Sequence, residues 1–290
     1  MISRWLRVLI AALLLLAFAG ACGDDDDDAG GGDTDGEGAE ASEVTLKTNE
    51  YGYPDLPASF AGGLVEITLD NSAGNEAHEA DLTLLTEGKT FEDYRASLAE
   101  ESQGPPPSWQ VPSGGPGPVA PGETAVYTAN LEPGTYVVQC HVPASDGQSH
   151  SEKGMITSIT VTEGETGELP ESDATIGADE YAFTGTDELV AGEQTVRVEN
   201  VGEEPHFWAL AQLADGKTAQ DVLAFFGSEA PAGPPPFTGF VGLVSTLPPG
   251  GEAVRTLELE AGTYGFFCLI PAPDGQPHAA KGMLAEFTIS

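Results

Sequence analysis

The sequence has few basic residues: 10 Lys and Arg stand against 47 Asp and Glu, for a formal net charge of −37 at pH 7. Nucleic acids and anionic membrane surfaces are bound through cationic side chains that neutralise their charge. We therefore expect no nucleic-acid partner and no electrostatic binding to anionic lipid. The negative charge is compatible with steering toward a basic protein partner, and equally with solubility alone.

The N-terminus lacks an apolar run long enough for a comfortable membrane span. Its run from Val8 to Ala19 follows two arginines and leads to Ala-Gly-Ala-Cys, so residues 1–22 have the form of a secretory signal. The end of this segment resembles the lipobox of bacterial lipoproteins, which implies cleavage and lipidation of Cys22. We predict an extracytoplasmic chain held at the cell membrane by a lipid anchor at Cys22. An uncleaved anchor and ordinary secretion are the alternatives.

Apolar periodicity is absent from residues 23–42, which are mostly Asp, Gly, Glu and Ala. Such a segment cannot bury enough apolar surface to offset the entropy lost on ordering it. We predict a disordered, extended acidic linker. Its five consecutive aspartates lack the spaced ligands and the glycine turn of a calcium-binding loop.

Residues with reactive or metal-binding side chains are scarce, with three Cys, three Met and five His in the whole chain. There is no nucleophilic serine motif with a spare His and Asp, no phosphate-binding loop, no His-rich zinc motif and no His-x-His pair. The sequence therefore predicts a protein that is not an enzyme.

Most of these scarce residues belong to an internal repeat. The segment 136–155 is repeated at 264–283, an offset of 128 residues, and a further His precedes the Cys of each segment by 62 residues. The two complete sets are His78, Cys140, His150 and Met155 in the first repeat, and His206, Cys268, His278 and Met283 in the second. The repetition of a whole set of soft and imidazole ligands predicts two metal sites.

Two imidazoles and a thiolate in a trigonal arrangement, with a weak axial thioether, are the ligands of a blue-copper electron-transfer site. On these residues both repeats resemble the cupredoxins, the plastocyanin- and azurin-like type 1 copper proteins. The resemblance implies one copper per repeat, up to two in all, with Met155 and Met283 as the axial ligands. It also implies single-electron transfer with another extracytoplasmic redox protein. The Cys-to-His spacing is longer here than in the small single-domain members of that family.

Three alternatives remain open from the residues alone. Two cysteines in an oxidising compartment usually form a disulfide, which here would join Cys140 to Cys268. The second alternative is that the chain captures or delivers copper without redox turnover. A metal-free sandwich that serves as an interaction module is the third alternative.

His141 departs from the repeat, because Leu269 occupies the equivalent position. In this feature the first repeat is similar to multicopper oxidases, in which the His directly after the copper-binding Cys helps to bind a separate copper cluster. Those clusters need His-x-His pairs, so we do not expect reduction of dioxygen or nitrite. We expect the His141 side chain to be exposed or locally hydrogen-bonded, with a role in electron exit as the alternative. Lys153 and Lys281 are expected to face solvent, or to dock an acidic group.

The repeat predicts two domains, at residues 43–163 and 174–290, joined by a short acidic linker. Alternation of apolar and polar residues, as in 64–69, predicts strands. About seven short strands per repeat, with turns between them, indicate a Greek-key sandwich. The predicted fold class is all-β, with two tandem cupredoxin-like Greek-key β-sandwich domains, each with a short helix.

The two helices are predicted over 90–101 and from Gly216 to Phe226. Phe91, Tyr94 and Leu98 recur at helical spacing, and we interpret them as core packing. Pro-rich loops around residues 143 and 271 are expected to exclude water from the two sites.

Overall fold

The computed structural model of the chain describes residues 39–98, 106–228, 233–240 and 243–290. The predicted signal at 1–22, with Cys22, and most of the predicted linker at 23–42 lie outside the described residues. In the ranges that are described, no helix is both long and apolar enough to cross a membrane.

The described part of the first repeat forms eight strands and one helix. The strands are β1 (Ser42–Lys47), β2 (Ser59–Ala61), β3 (Gly63–Asp70), β4 (Asp81–Leu85), β5 (Gln110–Pro112), β6 (Thr124–Leu131), β7 (Gly134–Gln139) and β8 (Ile156–Thr162). The helix α1 (Phe91–Leu98) lies between β4 and β5. β3 is an example of why these segments form strands. From Val65 to Asp70 its residues alternate between buried and partly buried, as expected for a strand with one face on the core.

In the second repeat, nine strands and one α-helix lie among the residues that the structure describes. The strands are β9 (Ala174–Asp179), β10 (Ala182–Thr184), β11 (Gly192–Asn200), β12 (His206–Leu213), β13 (Phe237–Phe240), β14 (Val244–Leu247), β15 (Glu252–Leu259), β16 (Gly262–Phe267) and β17 (Leu284–Ile289). The helix α2 (Ala219–Phe226) lies between β12 and β13, as α1 does between β4 and β5. Short 3₁₀ turns at Thr186–Glu188 and His278–Lys281 complete the described elements.

One seven-stranded sheet runs through both repeats in the order β1-β3-β6-β15-β11-β9-β10. β6 and β15 make the junction and pair antiparallel, with Val254 opposite Thr128 and Thr256 opposite Val126. In each repeat the first strand pairs in parallel with a later strand, β1 with β3 and β9 with β11. The two repeats therefore share backbone hydrogen bonds and do not hang as separate bodies on a linker.

Each repeat adds a five-stranded sheet of its own to this shared sheet. The first has the order β2-β8-β7-β4-β5, and the second has β13-β12-β16-β17 with β14 paired to β12. Buried apolar side chains of the shared sheet and the two outer sheets form one continuous core, with Tyr127, Tyr136, Trp208, Tyr264 and Phe266 as its largest members. The predicted fold class is confirmed for the described residues: they are all-β with one short helix in each repeat, and their packed sheets are consistent with Greek-key sandwiches.

Both predicted helices are present, and both begin after a threonine. In α1 the side chains of Phe91 and Tyr94 pack on Leu85 and Val137, which explains why β4 is buried on both faces. The prediction for Leu98 is wrong. Leu98 is 42% exposed at the last residue of the helix, and the buried residue on that turn is Ser97.

Ser97 is buried because its hydroxyl has partners inside the protein. It donates to the Tyr94 carbonyl at 2.7 Å and accepts from Nε2 of Gln110 at 2.7 Å. A hydrogen-bonded hydroxyl can be buried at little cost, and apolar periodicity does not reveal it.

The segment between the repeats, residues 164–173, packs against both of them. Leu169 is buried in a small cluster with Leu64 of the first repeat and Val254 of the second. The side chain of Asn130 exchanges two hydrogen bonds with the backbone of Gly167, at 2.9 and 3.1 Å. The exact domain boundaries stay a prediction.

Candidate metal centres

The first candidate site lies at one end of the outer sheet of repeat 1. Cys140 directly follows β7 and Met155 directly precedes β8, and these strands are paired with Gln139 opposite Ile156. β4 pairs with β7 so that Asp81 lies opposite Gln139. His78, just before β4, is therefore brought to the same end as Cys140, and it is bridged to Val119 on its other side.

Backbone hydrogen bonds fold the loop between Cys140 and Met155 so that His150 turns inward. The His150 amide donates to the Val142 carbonyl at 2.9 Å, and the Met155 amide donates to the His150 carbonyl at 2.8 Å. The Cys140 amide donates to the Met155 carbonyl at 3.1 Å, which closes the loop at its base. The tip needs a positive φ, which Gly147 supplies at 85°.

The second site repeats this arrangement. The amides of His278, Met283 and Cys268 donate to the carbonyls of Ile270, His278 and Met283 at 2.9, 3.0 and 3.3 Å. His206 is the first residue of β12 and pairs with Leu247 of β14, much as His78 pairs with Val119. The structure thus brings every residue of each predicted set to one place, although their role as metal ligands stays a prediction.

The three nitrogen and sulfur donors of each site converge. In the first site, Nδ1 of His150 lies 2.9 Å from Nδ1 of His78 and 3.5 Å from Sγ of Cys140. In the second, the corresponding distances from Nδ1 of His278 are 3.2 Å to His206 and 3.6 Å to Cys268. Within each group the donor atoms all lie within 4.8 Å of one another, and no third group of this kind occurs in the described ranges.

Both sites are closed to solvent, since all six of these side chains and those of Met155 and Met283 are 0% exposed. A backbone amide points at each sulfur: Glu79 at 3.5 Å from Cys140 Sγ, and Phe207 at 3.3 Å from Cys268 Sγ. These amides would stabilise a thiolate.

The protonation of the donors fits a metal ion. Burial, with the neighbouring His150, lowers the pKa of His78 to about 4, and burial likewise lowers the pKa of His206. Burial raises the pKa of the Cys268 thiol to about 11, and burial together with Glu79 raises the pKa of Cys140 further. Neutral imidazoles are ready to bind a metal, while a buried thiol becomes a thiolate when a cation replaces its proton.

The cysteines are free in the structure, each buried in its own site. The alternative of a Cys140–Cys268 disulfide is therefore not realised. Each sulfur instead faces two imidazoles of its own repeat.

Two glutamates, which the sequence analysis missed, lie against the outer imidazoles. Oε2 of Glu76 lies 2.9 Å from Nε2 of His150, in a hydrogen bond. Oε2 of Glu204 lies 2.8 Å from Nε2 of His278, at ion-pair distance but without hydrogen-bond alignment. A signal was present in the sequence, because each glutamate is two residues before the first His of its repeat.

A tyrosine and a lysine cover each outer imidazole. Tyr51 and Tyr181 meet the rings of His150 and His278 edge-on, with centroids 5.2 Å apart in both repeats. Lys153 lies over the ring of Tyr51 and pairs with Asp146, and Lys281 lies over Tyr181 and pairs with Asp274. The lysine side chains are 18% and 24% exposed, so they face solvent in part, and each pairs with an exposed acidic residue of its own loop. The ion pair and the aromatic face hold them against the protein.

The first site has polar neighbours that the second lacks. The Glu79 side chain is 4% exposed and accepts a hydrogen bond from the His141 amide at 2.7 Å. Nε2 of His141 lies 3.2 Å from Oδ2 of Asp81, and its side chain is 55% exposed. His141 is thus both exposed and locally hydrogen-bonded, as expected. The corresponding residues of the second repeat are Phe207, Ala209 and Leu269.

Comparisons with known proteins found solved structures that are similar to this chain. No protein-family model and no curated protein sequence matches the chain. Reduced auracyanin from the photosynthetic bacterium Roseiflexus castenholzii is 23% identical, with a TM-score of 0.28, over 40% of this chain and 94% of the auracyanin. Auracyanin B is 22% identical, with a TM-score of 0.29, over 43% of this chain and 93% of its own. A copper nitrite reductase from Nitrosomonas europaea is 16% identical, with a TM-score of 0.25, over 87% of this chain and 94% of that enzyme. Since these TM-scores are below 0.5, the functional assignment rests on the geometry of the sites.

Proposed function

We propose that this chain binds copper in both repeats and carries single electrons between redox proteins. The observation that carries the proposal is the convergence, in each repeat, of two imidazole Nδ1 atoms and one cysteine sulfur in a fully buried pocket. Two imidazoles with one thiolate are the equatorial ligands of an electron-transfer copper site, and the buried Met155 and Met283 would supply the weak axial thioether. When bound, copper supplies one-electron oxidation and reduction.

The protein's own residues would keep such sites rigid and dry. His78, Cys140 and His150 are fixed by backbone hydrogen bonds on both sides of the loop, and the second repeat has the same bonds. Pro143 forms an isolated β-bridge with Ser149, and Pro271 forms one with Pro277. These two bridges close the loops. A site held in one geometry needs little rearrangement when its charge changes, which favours fast electron transfer over substrate binding.

The cellular setting is part of the proposal. The signal and lipobox at residues 1–22 support an extracytoplasmic protein anchored in the cell membrane through Cys22. The net charge of −37 supports a redox partner with a basic docking surface. The same charge speaks against nucleic acid as a partner.

The test is a visible absorption spectrum of residues 39–290, with the thiols reduced, during titration with Cu(II). We expect an intense thiolate-to-copper band that saturates near two equivalents. Cys140→Ser and Cys268→Ser should each remove about half of the band, whereas the control His141→Ala should keep all of it. Absence of the band, with colourless and exchangeable Cu(I) binding, would support copper capture instead. Absence of any copper binding would leave only a metal-free interaction module.

A carrier without catalysis can be distinguished from a copper enzyme directly. We expect the copper-loaded protein with an electron donor to consume neither dioxygen nor nitrite beyond the rate of free copper. Steady turnover that depends on His141 would overturn the assignment as a carrier.

A further inference from the structure

The outer imidazole of each site has a carboxylate on the nitrogen that faces away from the sulfur. His150 directs Nδ1 toward His78 and Cys140, while Nε2 lies 2.9 Å from Oε2 of Glu76. The imidazole is 0% exposed, and the Glu76 side chain is 29% exposed. The carboxylate therefore separates the ring from solvent.

The glutamate is held in place by a buried asparagine. Asn71 follows β3 and is 0% exposed, and its Nδ2 donates to the Glu76 carbonyl at 3.0 Å and to the Val119 carbonyl at 3.0 Å. Val119 is the residue bridged to His78. One asparagine thus ties the segment that carries Glu76 to the segment that holds the first imidazole.

The second repeat contains the same parts. Asn200, the last residue of β11, donates through Nδ2 to the carbonyls of Glu204 and Leu247 at 2.8 and 3.1 Å. Leu247 pairs with His206, and Glu204 lies 2.8 Å from Nε2 of His278. The Asn–Glu contacts recur although the loop from Asn to His is one residue shorter in the second repeat, but only the Glu76–His150 contact has the alignment of a hydrogen bond.

A neutral imidazole has one N–H, and its other nitrogen has the lone pair that binds a metal. A carboxylate can only accept a hydrogen bond, so Glu76 favours the proton on Nε2 and leaves the lone pair on Nδ1. An outer carboxylate of this kind fixes the orientation and basicity of a metal-binding His.

We propose that Glu76 is a positioning residue that keeps the proton of His150 on Nε2, so that Nδ1 faces the sulfur ready to bind metal. The inference rests on the proposed function for its biological meaning. Its own evidence is the Asn–Glu–His chain of contacts, which holds whichever metal is bound.

The experiment uses residues 39–290 with Cys268→Ser, so that the thiolate-to-Co(II) absorption band reports Cys140 alone. We expect Glu76→Ala to weaken Co(II) binding about 10- to 100-fold. Glu76→Gln, which retains an oxygen acceptor but loses the charge, should recover part of that loss. The control is Glu163→Gln, because Glu163 is an exposed carboxylate just after β8. It should change the affinity less than twofold.

The second measurement is ¹⁵N NMR of the histidine rings without metal. The wild type should show His150 protonated on Nε2, and Glu76→Ala should shift the population toward Nδ1–H, with folding checked by the remaining amide spectrum. A wild-type His150 protonated on Nδ1, or an unchanged Co(II) affinity in Glu76→Ala, would overturn the inference. Failure of the Cu(II) band would overturn the electron-carrier function alone, since neither measurement here uses copper.

Discussion

Glu79 is the residue that most distinguishes the two sites. Its amide points at the sulfur of Cys140, and its carboxyl is buried beside His141. Burial raises the pKa of this carboxyl to about 7. The equivalent residue is Phe207, so only the first site has an ionisable side chain at this position.

The raised pKa of Glu79 predicts a loss of stability with rising pH. Between the ordinary carboxyl pKa near 4.5 and the folded value near 7, the folded state keeps a proton that the unfolded chain releases. The stabilisation is complete below that window and is lost as the pH rises through about 7. A shift of this size corresponds to roughly 3 kcal/mol in the free energy of unfolding, most of which is lost between pH 5 and pH 8.

Urea unfolding of the wild type and Glu79→Gln at pH 5 and pH 8 tests this expectation. The stability of the wild type relative to the variant should fall by about 2–3 kcal/mol between the two pH values. Comparison with the variant cancels the opposite contribution of His78, whose pKa is lowered to about 4. Glu163→Gln removes an exposed carboxyl and serves as the control. A constant difference across pH would contradict the burial of a titrating Glu79.

The thiols predict the pH dependence of metal binding. Because burial raises the pKa of Cys140 and Cys268, each metal ion must displace a thiol proton at neutral pH. We expect Zn(II) affinity to increase about tenfold per pH unit from pH 6 to 8, with one proton released per site. Competition with a chelator and calorimetry in two buffers measure both quantities. Affinity independent of pH would show that the thiols do not bind as thiolates.

At the level of elements, both helices begin in the same way. The Thr218 hydroxyl accepts from the Asp221 amide at 3.2 Å, and the Asp221 carboxylate accepts from the Thr218 amide at 2.9 Å. Thr90 and Asp93 exchange the same bonds at 3.2 and 2.9 Å. These reciprocal bonds satisfy backbone amides that would otherwise lack partners at the start of a helix.

Thr218→Ala should destabilise the protein by about 1 kcal/mol, because it removes the side-chain acceptor of the first turn. Thr90→Ala should have a similar effect. Lys217→Ala, which changes the exposed residue just before the cap, should alter the free energy of unfolding by less than half as much. Urea denaturation of the three variants measures the difference, and equal stability of all three would contradict a role for the capping bonds.

The long strands could be predicted from the sequence, whereas the short ones could not. Alternating apolar residues over 64–69 identified β3 to within one residue at each end. The three-residue strands β2, β5 and β10 contain too few residues to show a period. They form because an existing strand offers unpaired backbone groups beside them, which is a property of the folded sheet.

The donors of the candidate sites could be predicted because Cys, His and Met are rare in this chain and repeat with a fixed offset. Glu76 and Glu204 repeat with the same offset but are hidden among 47 acidic residues. Their contact with His150 and His278 depends on how the loop turns, and so does the pairing of Lys153 and Lys281 with Asp146 and Asp274. Side-chain contacts between segments far apart in the chain leave little trace in composition.

On the scale of the whole molecule, the junction of β6 with β15 could not be predicted from the sequence. Both strands have the alternation of an ordinary sandwich strand, and nothing local shows that each pairs with the other repeat. The buried cluster of Leu64, Leu169 and Val254 reinforces the junction. Arg255 on β15 is also buried there and donates to the Leu243 carbonyl at 2.8 Å.

This junction predicts that both repeats unfold together. Separation of the repeats would break the hydrogen bonds between β6 and β15 and expose core residues of both halves, so a state with one folded repeat is unfavourable. Differential scanning calorimetry of residues 39–290 should show one transition whose calorimetric and van't Hoff enthalpies agree. Two resolved transitions would show that the shared sheet does not couple the repeats.

Leu169→Ala is a second test of whether the two repeats unfold together. We expect a loss of about 2–3 kcal/mol, the lower range for a buried leucine, because Leu169 lies at the rim of the core. The single transition should move to lower temperature without splitting. An unchanged melting temperature would show that the segment between the repeats is only a tether.

The shared sheet has a further consequence while the chain is being made. β6 pairs with β3 on one side and with β15 on the other. β6 ends at Leu131, whereas β15 ends at Leu259. At a synthesis rate of roughly 5–20 residues per second, the 128 intervening residues take roughly 6–26 s to appear. During that interval an eight-residue strand that is internal in the finished protein is the unpaired border of a nascent sheet. Such a border readily recruits strands from other chains, so the newborn first repeat is the stage at which this protein is most exposed to misassembly.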